Sequence, residues 1–191
     1  MNKKCHWTLA THLMGEGPWR LRGLALRLGS IMPDVLVYTY WTGHYYDTTA
    51  KRVERNLNAL KENGTWTMAN CFRLGYNLHF LEDYFTYPHN SHFEGGFIAH
   101  CWYEHRLSRE MGRRLKNAVP VESGSAGHGA IRATLGERHA AYMNDVPSPE
   151  NDAAYIISAA EAVSQEIFAA FSRRSVTPRS RAFMQRVGVG V

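Results

Sequence analysis

The sequence predicts an all-α fold, a single-domain multi-helix bundle spanning residues 1–191, and three observations lead there. Apolar residues recur at three- and four-residue intervals along most of the chain. Runs that alternate polar and apolar residues, the mark of a half-buried strand, are scarce. A chain of 191 residues with 45% hydrophobic and 12% aromatic content is also enough for one sizeable core rather than two.

In chain order, Trp19, Leu21, Leu24, Ala25 and Leu28 suit a short helix opened by Pro18 and stopped near Gly29. Ala50, Val53, Leu57 and Leu60 line one face of a second, with Arg52, Arg55 and Glu62 off that stripe and Asn63 and Gly64 ending it. A third begins near Thr65 or Thr67 and runs through His79 and Asp83 to Pro88. A fourth follows Gly95 and Gly96, with Leu107, Met111 and Leu115 at four-residue spacing. "PVESGSAGHG" reads as a loop, followed by a helix through Ile131, Leu135 and Tyr142 and by the turn-rich "NDVPSPEND". Ala153, Ile156, Ile157, Ala160, Val163, Ile167, Phe168 and Phe171 form the clearest amphipathic stripe. After about residue 174 the chain reads as an irregular basic tail, with Arg179 and Arg181.

The formal charge of +5 is a mild bias towards anionic substrates or surfaces. Cys5, Cys71 and Cys101 are too few and too scattered for a disulfide framework and suit a reducing compartment. His6 and His12 break up the amino-terminal apolar residues, so no signal peptide is expected, and no run approaches the roughly 18–20 apolar residues of a membrane span. The expectation is a soluble, cytoplasmic protein without an obvious amphipathic membrane anchor. No feature bears on oligomeric state.

The histidines and carboxylates carry more information. His79 and Asp83 stand at i and i+4, so on a helix both project from one face and can hold one ion. One turn earlier on that face is Gly75, which leaves room beside His79. His89 follows Pro88, where a turn can return it to its neighbours, and His100 and Glu104 repeat the i, i+4 pair. The stripe through Glu104 continues into Leu107, Met111 and Leu115, so that pair faces the core. A buried carboxylate without a partner costs several kcal/mol, and a metal ion would compensate it. Asp34 follows Pro33 at the end of an apolar run, and His44 opens the next helix. Read alone, they are a cap or turn residue and a surface histidine. His92, His105, His128 and His139 read as surface groups or as supports for ligands.

Together these residues resemble the zinc-dependent phospholipase C family, which shares an all-α fold with the S1/P1 nucleases. The resemblance covers about residues 5–117. It rests on His79, three residues, Asp83, five residues, His89, then His100, three residues, Glu104, with "CH" at 5 and 6, "GSIMPD" at 29–34, "GHYYD" at 43–47 and "DYFTYPHN" at 83–90. These short motifs are similar to the intracellular branch. The resemblance implies two or three zinc ions. His44, His79 and Asp83 would hold one, and His89, His100 and Glu104 a second. Asp83 would bridge to a third held by His6. Asp34 would orient the attacking water as a general base. The secreted enzymes complete the third site with a processed terminal tryptophan, whereas here Met1 and four more residues precede His6. Either the Met1 amine folds back, or His12 or a backbone group substitutes, or that site is weak or empty. His12 rivals His6 because Trp7 and His12 keep the spacing seen in the nucleases.

The implied chemistry is phosphoester hydrolysis, since zinc lowers the pKa of a bound water and neutralises a phosphate's charge. The implied substrate is a phospholipid head group or a small soluble phosphoester, walled by Tyr38, Tyr40, Trp41, Tyr45, Tyr46 and Phe93. Such rings attract a quaternary ammonium or stack a base. A nuclease or nucleotidase with the same metals is the second reading, with nucleic acid the weaker partner. A metal-stabilised binding protein without turnover is the third. Iron or manganese can replace zinc at imidazole and carboxylate ligands.

Overall fold

The computed structural model describes residues 1–15, 20–36, 45–116, 118 and 129–175, which are mostly helical with no strand among them. The helices are α1 (Lys3–Met14), α2 (Arg20–Val35), α3 (Tyr46–Asn63), α4 (Met68–Asp83) and α5 (Phe97–Leu115). They are followed by α6 (Ala130–Ala133), a π-helical turn (Thr134–Arg138), α7 (His139–Met143) and the long α8 (Pro149–Ser175). A 3₁₀ turn, Tyr87–His89, lies between α4 and α5. No helix among the described residues is long and apolar enough to cross a membrane. The opening at Pro18 and Trp19, the loop at 120–128 and the tail after 175 lie outside the described residues.

Local chemistry fixes most boundaries. The Asn2 side chain accepts from Cys5 N–H to cap α1, and Thr67 accepts from Asn70 N–H to cap α4. Gly96 precedes α5, and the Gly64 N–H returns to the Leu60 carbonyl to close α3. The expected apolar stripes of α3, α5 and α8 form one core, with Val53, Leu57, Leu107, Met111, Ile156, Val163, Ile167 and Phe171 all buried, whereas on α2 Leu21, Leu24 and Leu28 are exposed and Ala25 and Leu26 are the core residues.

Two expected boundaries are corrected. Gly29 does not stop α2, which continues through Pro33 and Asp34. Among the described residues only Gly15 and Gly129 have positive φ, so Gly29 is not a left-handed stop. Its missing side chain lets α2 meet α4: a Cβ on Gly29 would stand 2.1 Å from the Phe72 carbonyl oxygen, and one on Gly75 2.1 Å from that of Leu26. Gly75 therefore serves helix packing rather than room beside His79. The third expected helix does not run to Pro88 either. It ends at Asp83, and Pro88 lies inside the 3₁₀ turn, where its lack of an N–H is tolerated.

Candidate metal centre

The close α2–α4 crossing brings the end of α2 beside His79. His6 on α1, Asp34 on α2 and His79 on α4 each offer one ligand atom, all within 4.8 Å of one another. His89 from the 3₁₀ turn and His100 and Glu104 from α5 form a second such group. Asp83 stands between the two. Its Oδ1 is 3.5 Å from His6 Nε2, and its Oδ2 is 3.4 Å from His79 Nε2 and 3.6 Å from His89 Nδ1. Glu104 Oε1 lies 3.0 Å from His100 Nε2 and 3.3 Å from His89 Nε2.

The donors around the centre settle which ring atoms face it. His79 Nδ1–H donates to the Ser30 carbonyl at 2.8 Å, since a carbonyl can only accept, and this puts the lone pair on Nε2. His6 Nδ1 meets Glu82 Oε2 at 2.5 Å, and its Nε2 has no hydrogen-bond partner among the described residues. That Nε2 lone pair then faces an Asp83 oxygen, two acceptors in a fully buried place, and a cation between them resolves the conflict. Without a metal a second proton does so. Burial opposes the imidazolium, but the adjacent Asp83 and Glu82 carboxylates outweigh it and push the His6 pKa up to about 9. Burial holds His89 below the usual histidine range despite Asp83 and Glu104, so its ring is neutral. Burial would raise Glu104, but hydrogen bonds from His89, His100 and the amino terminus hold it well below the usual carboxylate range. A set of imidazoles and carboxylates, with one orphaned nitrogen, fits divalent zinc.

Met1 does fold back. Its amino group lies 2.7 Å from Asp83 Oδ1, 2.9 Å from His89 Nε2 and 3.1 Å from Glu104 Oε1. Burial disfavours its charge, yet Asp83 and Glu104 push its pKa up to about 10. His12 points elsewhere, with Nε2 at 2.7 Å from Glu161 on α8. His44 lies outside the described residues.

Two acidic residues escaped the sequence reading. Glu82 is buried and orients His6; its signal was that the last turns of α4, Leu78 to Asp83, are buried all round, where a carboxylate needs a partner. Asp152, fully buried at the start of α8, accepts the Tyr87 N–H and the Tyr103 hydroxyl on Oδ2 and the Tyr142 hydroxyl on Oδ1. It thereby pins the turn that presents His89. Burial pushes Asp152 up to about 6 against those hydrogen bonds.

A cavity of about 600 Å³ opens beside His89 and His100. Tyr45, Tyr46 and Phe93 line it as expected, while Tyr38, Tyr40 and Trp41 lie outside the described residues. His139 is part of this wall, not a surface group. It stacks on Tyr46 with centroids 3.6 Å apart, and the Tyr46 hydroxyl donates to the Leu135 carbonyl in the π-helical turn.

With this geometry in place, residues 5–149 match the family model described as zinc dependent phospholipase C. The chain belongs to the zinc-dependent phospholipase C family. The match covers most of the 191 residues and extends beyond the motifs around the metal centre to the start of α8. No curated protein and no solved structure matches. Membership supports a zinc-dependent phosphoester hydrolase, and the all-α architecture accords with the family's fold.

Proposed function

We propose that this phospholipase C family member is a phosphodiesterase acting on a phospholipid head group or a similar soluble ester. His89, His100 and Glu104 would hold one zinc. His79 and Asp83, together with His44, would hold a second, and Asp83 would bridge to a third bound by His6 and the Met1 amine. The observation that carries this reading is the position of Asp83, one oxygen towards His6 and the other towards His79 and His89. Zinc bound there supplies positive charge for the phosphate and acidifies water.

The chain's own groups do the rest. Asp34 Oδ1, 3.7 Å from His79 Nε2 and partly open to solvent, would take the proton from the attacking water. Glu82 and the Ser30 carbonyl hold the His6 and His79 rings in their tautomers. Tyr45, Tyr46 and Phe93 offer ring faces to a quaternary ammonium head group. The unpaired Cys5, Cys71 and Cys101 support a cytoplasmic site of action.

The test is metal content by mass spectrometry on gently purified protein, followed by turnover on a panel of phospholipids, soluble phosphodiesters and nucleotides. Two or three zinc ions per chain, sharply reduced by His79→Ala, with Asp34→Asn retaining zinc and losing turnover, is the expected result. An unchanged rate in Asp34→Asn would sink its role as base. Zinc without turnover on any ester would favour a metal-stabilised binding protein, and activity on nucleotides alone a nucleotidase.

A further inference from the structure

The first turns of α5 expose large apolar side chains that nothing among the described residues covers. Phe97, Ile98 and Trp102 are 83%, 78% and 67% exposed, and with Cys101 and His105 they surround a shallow hollow of about 250 Å³. A helix on a folded domain normally turns its polar face outward, so three such residues within six positions call for a partner. We infer that this end of α5 is a docking face for the surface of a phospholipid bilayer, an inference that rests on the phosphodiesterase reading above.

Two features select a bilayer over a second copy of the chain. The patch is continuous with the site: Phe97 lines both the hollow and the cavity beside His89 and His100, and His100 lies on the same turns of α5. A second copy seated there would cover the mouth of that cavity, whereas a lipid surface would present head groups to it. The outer face of α5 also changes character along its axis. Ile98, Trp102, His105 and Arg109 follow one another at helical spacing, and Arg106 and Arg109 are exposed one to two turns beyond the apolar end. Apolar side chains entering the acyl boundary, a tryptophan at head-group level and cations facing anionic lipid make up an interfacial helix rather than a spanning one.

Ile98 and Trp102 touch only the hollow, so they can be changed without altering the cavity. The zinc-loaded full chain and its Ile98→Gln/Trp102→Gln variant would be sedimented with vesicles of equal parts phosphatidylcholine and phosphatidylglycerol. Both would then be assayed on those vesicles and on a water-soluble monomeric phosphocholine ester, with melting curves confirming that both are folded. The expected result is vesicle affinity at least about tenfold lower in the variant, vesicle hydrolysis falling in parallel and soluble-ester hydrolysis unchanged. Arg106→Ser/Arg109→Ser should weaken binding to these anionic vesicles and not to phosphatidylcholine alone. The inference is overturned if the wild type does not bind vesicles, if the apolar variant binds as well as the wild type, or if the wild type is a dimer that the variant breaks. Vesicle binding with neither ester hydrolysed would leave the docking face standing and overturn the phosphodiesterase reading.

Discussion

Replacing Gly75 with alanine sets two effects of opposite sign against each other. In an unencumbered helix the change stabilises by about 0.5–1 kcal/mol, because glycine loses more backbone freedom on folding. Here the new Cβ would stand 2.1 Å from the Leu26 carbonyl oxygen and 2.9 Å from Ser30 N. Carbon–oxygen contacts normally sit at about 3.3–3.6 Å, so α2 and α4 must part by roughly 1 Å. The obstructing atoms are backbone, and no rotamer change relieves them. Overpacking of this kind costs about 1–3 kcal/mol and can exceed that. After the helix-propensity gain, the net destabilisation is about 1–2 kcal/mol, or a melting temperature lower by about 2–8 °C for a chain of this size. The same displacement pulls Ser30 from His79 and moves Asp34, so zinc affinity should fall as well. Thermal melts of the metal-free protein and chelator competition on the loaded protein measure the two effects separately. A raised melting temperature would show that propensity dominates and that the close crossing is misread.

Glu82→Gln should lower zinc affinity about 10–100-fold by chelator competition, because the buried carboxylate that orients His6 becomes a neutral amide. His139 is held neutral by burial, with its pKa pushed down to about 4 from 6.5. Between those values the unfolded chain binds a proton that the folded chain refuses, so stability falls as pH drops from about 6.5 to about 4. His139→Phe, which keeps a ring against Tyr46, should make urea midpoints less dependent on pH across that window, and an identical fall in wild type and variant would refute the assignment.

Helices were legible where an apolar stripe met a glycine, as in α3 before Gly64 or α5 after Gly96. Punctuation misled where a residue served tertiary contact. Gly29 reads as a stop, yet its lack of a side chain is used by Phe72 in the first turns of α4, a partner in another element that periodicity cannot name. The i, i+4 pairs His79/Asp83 and His100/Glu104 were visible because both members share one helix face. Glu82 was hidden for the converse reason: it lies off that face and matters only because α1 packs there with His6. Asp34 on its own reads as a cap or turn residue, and only the packing of α1, α2 and α4 brings its carboxylate within 4.8 Å of ring nitrogens of His6 and His79. The outward exposure of Ile98 and Trp102 was equally unreadable, since α5 carries apolar residues on both its inner and outer faces.

The Asp152 hydrogen bonds bear on where this protein can be divided. The family match ends at Pro149, three residues before the carboxylate that holds the Tyr87 backbone and, through it, the turn carrying His89. A fragment cut at the end of the match would lose that restraint together with the α8 side of the core. The metal centre and the last helix are therefore expected to open as one cooperative unit. Zinc binding should then slow hydrogen exchange of amides along α8, as far as Phe171, although no ligand lies on that helix.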